Sequence, residues 1–474
     1  MEKHMPDSRS LSIRAAIVLS LLSLLIGGCT MAPVYDRPGA PTPDAYAQGA
    51  ALLSRPVQDI AWRDFFKEST TRRLIELALA NNRDLRIAML NIEKTRALYR
   101  VQRADLLPTV AAAASADSQR IAAEWTRTGV SGITRQYSAT LGFSGFELDL
   151  FGRIRSLTDQ ALETYYSVEE DAKTAQISLI AEVAGVYLQL IADREFLDIT
   201  RATYKNRKGQ YDLVSNKFHT GVASQLELSQ ARGIMEEARS NVARYSTKVG
   251  QDENYLALLL GAPVPKDMPE LRKLSQVDML ADLREGLPSD LLERRPDVRA
   301  AEHRLKGANA NIGVARANFF PRISLTGALG TLSAEAKDLF GPGNQFWQFL
   351  PSVSMPLFDT GRNIAVLQTS EAERAIAVAQ YEKTVQAAFR EVADTLVQRE
   401  HIGEQLAAES SLLKSTSTSY ALATARYEVG VDSYLNVLDA QRSLYSAQQS
   451  YINTKLLRET NSITLFKALG GGWK

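Results

Sequence analysis

The sequence predicts an α+β membrane protein in which one unit, built of long α-helices and short β-strands, occurs twice. Three observations lead to this class. Proline, which interrupts helices, is absent between Pro108 and Pro263 and again after Pro356. Polar and apolar residues alternate with a period of two in short segments of each half, as in strands with one apolar face. Glycines and motifs recur with the same spacing in both halves, which indicates an internal repeat.

Composition excludes several other classes of protein. The 474 residues include 55 basic and 54 acidic side chains, so the chain lacks the basic surface that nucleic-acid binding requires. The hydrophobic fraction of 45% excludes intrinsic disorder. After residue 26 no run of about 18 apolar residues occurs, so we expect no membrane-spanning helix. Four His and one Cys exclude an internal disulfide and a Cys-based zinc site, and we expect no metal site.

The first 28 residues are predicted to be a secretory signal peptide. Three basic residues precede an apolar stretch at 15–26, which is too short to span a membrane. The stretch ends in Ile26-Gly27-Gly28-Cys29, which resembles a bacterial lipobox. We therefore expect lipidation of Cys29, and the covalent lipid is the only non-protein group expected. Several acyl chains anchor a protein stably, whereas one does not. The alternative is an unmodified cysteine within the signal sequence.

Equal spacings between glycines define the internal repeat. Gly152 to Gly221 is 69 residues, and so is Gly361 to Gly430. The spacing from Gly221, and from Gly430, to the next matching glycine is 40 residues in each half. The predicted divisions are a signal peptide (1–28), a lipidated N-terminal strap with an equatorial segment (29–82), repeat 1 (83–261), an inter-repeat equatorial linker (262–295) and repeat 2 with a C-terminal tail (296–474).

Each repeat is predicted to contain a helix, two strands, a long helix and a final helix. Apolar residues in the long helices follow a spacing of three and four, as in a coiled coil: Leu179, Val183, Val186, Leu190 and Leu197, then Val385, Phe389, Val392 and Leu396. The shorter helices at 84–107 and 222–260 together equal one long helix of roughly 100 Å, so we expect them to stack end to end. Gly221 and Gly430 provide the turns, and Ser224 with Glu227 forms a predicted capping box.

Four segments of about ten residues show the alternation of strands that face lipid on one side. The segment at 109–117 shows it weakly because it is mostly alanine. Tyr137 and Trp347 are predicted near strand ends, at the lipid headgroups. Four strands cannot close a barrel, and lipid does not tolerate an open edge, so we expect assembly into an oligomer. A small soluble sheet packed on helices is the alternative.

Three longer motifs carry a resemblance across the mature chain: LDLFGR at 148–153, GLPSDLLERRPD at 286–297 and YEVGVDSYLNVLDAQRSL at 427–444. With the lipobox, they resemble the outer membrane factor family, most closely its lipoprotein branch typified by OprM and more distantly TolC. The resemblance implies a homotrimer with a 12-stranded outer membrane β-barrel continuous with a long α-helical periplasmic barrel. It also implies a lipid-anchored protein of the outer membrane, which extends into the periplasm.

The resemblance also implies a gate at the periplasmic end. By motif position, Leu435 and Asp439 match the constriction, and Arg426, Tyr427 and Arg442 match groups that hold neighbouring helices together. Asn436 stands where some relatives carry a second Asp, so a double acidic ring is not expected. The alternative for Asp439 and Arg442 is an ordinary surface ion pair. The turns that match adaptor-docking tips contain Gly221, Val222, Gly430 and Val431.

The implied function is a passive exit duct of a tripartite multidrug efflux pump. Its partners would be a periplasmic adaptor, an inner-membrane transporter of the resistance-nodulation-division class and outer membrane lipid, with no nucleic acid. The alternatives are a duct for type I protein secretion or for metal-ion efflux, although the eight Met are not clustered as a soft-metal relay requires. A hydrolase is not expected, because no phosphate loop, nucleophile elbow or His/carboxylate cluster occurs. A helical adhesin without a lumen would not need polar residues that alternate in the strands.

Overall fold

The computed structural model describes residues 30–43, 61–127, 129–265, 267, 273–277, 279 and 294–471. Its helices are α1 (Trp62–Phe65), α2 (Ser69–Asn81), α3 (Arg83–Ala104), α4 (Arg153–His219), α5 (Gln225–Leu260), α6 (Pro296–Ala317), α7 (Arg362–Glu428) and α8 (Tyr434–Ala468). Its strands are β1 (Ala111–Ile121), β2 (Gly132–Leu148), β3 (Arg322–Ser333) and β4 (Gln345–Ser354). The order helix, strand, strand, helix, helix occurs twice, and both long helices have 67 residues.

The chain divides into two compact units that do not coincide with the two repeats. The first contains the described residues of Met1–Gly39, Ile92–Val168 and Ala301–Tyr381. The second contains those of Ala40–Asn91, Glu169–Ala300 and Glu382–Lys474. Each repeat therefore contributes residues to both units.

The first unit contains one antiparallel sheet in the order β1-β2-β3-β4. β1 and β4 are its two edges, and they have 11 and 10 residues. The weakly predicted alanine-rich segment does form β1, which pairs along its whole length with β2. Tyr137 is the exception to the strand prediction, because it lies inside the 17-residue β2 and not near its end. Residues 132–136, which include Ile133 and Thr134, extend this strand upstream of the apolar alternation.

The two faces of the sheet differ in polarity, as the alternation predicts. Directly paired residues point to the same face, and one such row runs through Ala112, Leu141, Leu329 and Trp347. Trp347 is 80% exposed. On the opposite face, serine hydroxyls of neighbouring strands bond each other, at 2.7 Å between β1 and β2 and at 3.0 Å between β3 and β4. An apolar face and a hydroxyl-bearing face suit a sheet between lipid and water.

The N-terminal strap lies along α6 in the first unit. Arg37 forms an ion pair with Glu302, whose side chain is buried, with 2.8 Å between Nη2 and Oε2. Asn309 and Arg316 donate to backbone carbonyls of the strap at 2.7 and 3.4 Å. Because Glu302, Asn309 and Arg316 are seven positions apart, which is about two helical turns, they lie on one face of α6. The extended strap thus gains its order from the helix beside it.

In the second unit, α1 and the residue that follows it form a small apolar core with the end of α8. Phe65 stacks on Phe466 with 4.2 Å between ring centroids, and Trp62 and Phe66 are buried beside them. The predicted seam of the long helices is confirmed at its centre, where Val183 and Val392 have no exposed surface.

One 18-residue stretch of α4 is apolar enough, by length and composition alone, to cross a membrane. Scattered polar residues hid it from a search for unbroken apolar runs. The stretch is 56% buried inside the protein, as expected for a helix that packs against others.

In each repeat, a side chain just before the first helix of the repeat binds a carbonyl near the end of the last helix, and both contacts lie within the second unit. The Asn82 side-chain amide donates to the carbonyl of Leu259, near the end of α5, at 2.9 Å. At the equivalent position of repeat 2, Arg295 donates to the carbonyl of Ala468 at the end of α8, also at 2.9 Å. A side chain at Gly261 would collide with the backbone of α2 just before α3. The end of α5 therefore meets the start of α3, as the helix lengths predict.

Candidate functional site

The two helix-to-helix turns carry the residues that the sequence singled out. Tip 1 (217–224) joins α4 to α5, and tip 2 (426–433) joins α7 to α8; both lie in the second unit. Tip 1 contains Gly221 and Val222, and tip 2 contains Arg426, Tyr427, Gly430 and Val431, while Leu435, Asp439 and Arg442 follow on the first turns of α8. Tip 2 and the start of α8 therefore hold the predicted gate residues beside two of the predicted docking residues, and tip 1 holds the other two docking residues.

The backbone of the two tips is the same. The N–H groups of Gly221 and Val222 donate to carbonyls three and five residues back, at 3.0 and 2.8 Å. Those of Gly430 and Val431 make the same two bonds, at 3.0 and 2.9 Å. Both glycines are left-handed, with φ of 79° and 78°, so a side chain at either position would strain the turn. The predicted glycine turns are confirmed.

Tip 1 is closed by the capping box that the sequence predicts. Ser224 Oγ accepts from the backbone N–H of Glu227 at 3.2 Å, and the Glu227 carboxylate accepts from the N–H of Ser224 at 2.7 Å. The hydrogen bonds from Ser224 lower the pKa of Glu227 below its ordinary value. The start of α5 is thus held by bonds within four consecutive residues.

Tip 2 is held by an ion pair instead. Ser433 caps α8 without a side-chain hydrogen bond, and Asn436 replaces the glutamate of the capping box. Asp432 accepts from Arg426 with 2.6 Å between Oδ2 and Nε. This bond lowers the pKa of Asp432 and raises that of Arg426. Asp432 was not among the residues predicted from the sequence. Its signal is a carboxylate two residues after Gly430, which a hairpin turn returns toward residue 426.

Tyrosines link the tips to each other. Lys217 of tip 1 lies 5.1 Å from the ring centroid of Tyr427 in tip 2. The Tyr427 ring lies 5.3 Å from that of Tyr434, whose hydroxyl donates to Gln210 of α4 at 3.2 Å. Burial raises the pKa of Tyr434 to about 12, so its hydroxyl remains a donor at neutral pH. Beneath these rings lies an apolar cluster: Val214, Ala231, Tyr434, Val437 and Leu438.

The proposed constriction residues lie on the exposed side of α8. Leu435 is 56% exposed, and the side chains of Asp439 and Arg442 are each 66% exposed. Leu435 and Asp439 are four residues apart and thus share one helix face. Asp439 Oδ1 lies 3.8 Å from Arg442 Nη1, and Arg426 bonds Asp432 of its own turn. Arg426, Tyr427 and Arg442 were predicted to hold neighbouring helices together. Among the described interactions, only that of Tyr427 reaches the other helix pair, α4 and α5, where its ring lies beside Lys217.

The tips also expose apolar side chains. Val222 and Val431 occupy equivalent positions one residue after the glycines, and they are 76% and 63% exposed. Among the described residues, no three His, Cys, Asp or Glu side chains lie close enough to hold a metal ion. Cys29, the predicted lipidation site, lies outside the described residues.

Comparison with known proteins identifies the fold. The sequence profile described as Outer membrane efflux protein matches residues 74–262 and again 287–471, which is most of the chain. The chain belongs to the outer membrane efflux protein family. The two matched segments fall on the two repeats, so the family unit itself occurs twice. This assigns the protein to the outer membrane as an efflux channel component, and not as an enzyme.

Individual relatives agree over their full length. The chain is similar to the toluene efflux pump outer membrane protein TtgC and the antibiotic efflux pump outer membrane protein ArpC, both of Pseudomonas putida. Each is 46% identical over 465 residues, which cover 97% of this chain and 96% of the relative. The open-state structure of the Neisseria gonorrhoeae MtrE outer membrane channel is 36% identical with a TM-score of 0.85, and the alignment covers 94% of this chain and 99% of that one.

Proposed function

We propose that this efflux protein is the exit duct of a tripartite multidrug pump, a passive conduit gated at its periplasmic end. The observation that carries the proposal is the full-length similarity to two pump proteins named for chemically different cargo, toluene and antibiotics. A conduit that serves such different molecules cannot select them by specific contacts. Specificity would then reside in an inner-membrane transporter of the resistance-nodulation-division class, joined to the duct by a periplasmic adaptor.

The two open edges of the sheet support a homotrimer. An edge strand facing lipid leaves its backbone N–H and C=O groups unpaired, which costs several kcal/mol per group. β1 and β4 are almost equal in length, so the β1 edge of one protomer can pair with the β4 edge of the next. Three copies of the four-stranded sheet give twelve strands, enough to leave an aqueous lumen. A mass in detergent of one or two chains would contradict this assembly.

The exposed side of tip 2 supports the gate. In a trimer, three copies each of Leu435 and Asp439 could face one axis, where an apolar ring excludes water and an acidic ring attracts cations. Arg426, Tyr427 and Arg442 would hold the tips in the resting arrangement. At the turns, the exposed valines after Gly221 and Gly430 offer apolar surface that an adaptor could cover.

Deletion of the gene tests the proposed function. We expect a strain without the protein to become susceptible to several unrelated antibiotics, and a plasmid copy to restore resistance only when a cognate adaptor and transporter are present. The measurement is the minimal inhibitory concentration of each drug. Unchanged susceptibility, with loss of a secreted protein or with sensitivity to copper or silver alone, would contradict the multidrug assignment and favour one of the other ducts.

We also propose a lipid anchor on Cys29, supported by the lipobox at its place in the sequence. Cys29→Ala removes the sulfur that accepts the acyl groups, so labelling with radioactive palmitate should fall to background. The protein should still reach the outer membrane fraction when a non-lipidated signal peptide replaces residues 1–28. Palmitate labelling that persists in Cys29→Ala would refute the anchor.

A further inference from the structure

Two aspartates meet inside the packed helix pair of repeat 1, which consists of α4 and α5. Asp193 of α4 is only 2% exposed, and its carboxyl lies within hydrogen-bond reach of the Asp252 carboxyl on α5. Each carboxyl has one oxygen that is closed to water and receives no hydrogen bond from the described part of the chain, Asp193 Oδ1 and Asp252 Oδ2. Two carboxylates this close repel each other strongly, so the pair needs a proton or a cation between its members.

Neighbouring groups compensate only part of this charge. Gln189 donates to Asp193 Oδ2 at 2.8 Å, and Lys248 Nζ lies 3.8 Å from Asp193 Oδ1. The Lys248 side chain is 49% exposed, so water screens its charge. Glu253, the next acidic group on α5, is bound to Arg194 at 2.8 Å. Among the described residues no third carboxylate, His or Cys lies close enough to complete a metal site, so a proton is the group that fits.

Repeat 2 builds the same place without acids. The two repeats correspond at the offset of 209 residues that relates their turn glycines, so Ile402 stands for Asp193 and Asn461 stands for Asp252. Both counterparts are buried, and the Asn461 amide donates to a backbone carbonyl and to a side-chain oxygen of α7. The fold therefore accepts an uncharged pair at this position, and the two carboxyls of repeat 1 are not needed to build it.

We propose that Asp193 and Asp252 form a proton-operated clamp between α4 and α5. With one proton on the pair, one carboxyl donates to the other and the two helices are held together. When that proton leaves, two like charges face each other in the packed interface, and the helices separate locally more often. Asp252 is only half-buried, so its carboxyl exchanges the proton with water. The clamp lies about 40 Å along the helices from tip 1, and it does not depend on the proposed function.

The direction of the pH dependence follows from the pKa of Asp252. Burial, and then the hydrogen bond and charge of Asp193, raise this pKa to about 6, although Lys248 acts in the opposite direction. Glu253 adds to the rise in pKa. A carboxyl whose pKa is raised by folding stabilises the fold fully below its unfolded value of about 3.9, and this contribution is lost as the pH rises through about 6. The clamp should therefore hold at about pH 5 and weaken by about pH 7.5.

Hydrogen exchange of the full-length protein in detergent, read by mass spectrometry over segments 186–197 and 246–257, measures how often the clamp opens. Wild type and variants are compared at the same pH, so the intrinsic pH dependence of exchange cancels. Asp252→Asn copies the residue of repeat 2 and has no proton to lose. Its exchange should match wild type at about pH 5 and be on the order of tenfold slower than wild type at about pH 7.5. Asp193→Asn, which removes the facing charge, should behave in the same way.

The matched control is Asp212→Asn, which makes the same chemical change at an exposed aspartate of α4 and should exchange like wild type at both pH values. A ratio of exchange rates between Asp252→Asn and wild type that is the same at both pH values would overturn the clamp. Slower exchange in Asp212→Asn at the higher pH would also overturn it, because the effect would then come from net charge alone.

Discussion

Asp439→Ala should raise the single-channel conductance of the reconstituted protein, on the order of twofold, and should reduce its preference for cations. Asp439 is 66% exposed and its only described ionic partner is Arg442, at 3.8 Å on the same helix. Such an exposed pair contributes only a few tenths of a kcal/mol to stability. A change in conductance would therefore report on the channel axis and not on the fold of the tip.

The matched control is Asp394→Ala. Asp394 is 75% exposed and also lies 3.8 Å from an arginine, Arg390, one turn away on α7. It shares the charge and local pairing of Asp439 but not its position beside the tip. We expect wild-type conductance from Asp394→Ala. If Asp439→Ala also has wild-type conductance and ion selectivity in planar bilayers, then Asp439 is an ordinary surface residue.

Breaking the ion pair between Arg426 and Asp432 inside tip 2 should also favour the open channel. Arg426→Ala leaves Asp432 without its partner, and the start of α8 then lacks the bond that replaces the capping box of tip 1. The open probability should rise, and high salt should reproduce part of the effect in wild type because the pair is exposed.

The sequence predicted the helices, strands and turns well because each leaves a local signal. Absence of proline over 67 residues, a period of two, and glycine at equal spacings are properties of neighbouring residues. Gly221 and Gly430 need no tertiary context, because a left-handed turn is required wherever these helices reverse. The capping box of tip 1 is visible for the same reason, since its two members are three residues apart.

What the sequence did not predict depends on distance or on geometry in space. Asp432 became part of the site only because the turn returns it to Arg426, six residues away. Asp193 and Asp252 meet because α4 and α5 pack side by side, and no local pattern marks them as a pair. Arg295 was noted only as part of a family motif, although its partners come from α6, α7 and α8.

Arg295→Ala should be the most destabilising single change predicted here, at about 2–3 kcal/mol. The Arg295 side chain is 9% exposed and binds three groups: Asp297 at 2.6 Å, Glu391 at 2.9 Å and the carbonyl of Ala468 at 2.9 Å. Alanine leaves two carboxylates and a helix-end carbonyl without this donor. We place the cost below that of a fully buried pair because Asp297 and Glu391 are 30% and 45% exposed.

The duplication supplies an internal comparison for this prediction. Asn82 occupies the equivalent position of repeat 1 and binds the end of α5 with a neutral amide, so Asn82→Ala should cost about 1–2 kcal/mol. Arg390→Ala, which breaks an exposed pair, should cost less than about 0.5 kcal/mol. Denaturant titration of each variant in detergent, followed by tryptophan fluorescence, gives the free energies. If Arg295→Ala is no more destabilising than Arg390→Ala, the closing bond of repeat 2 does not stabilise the protein.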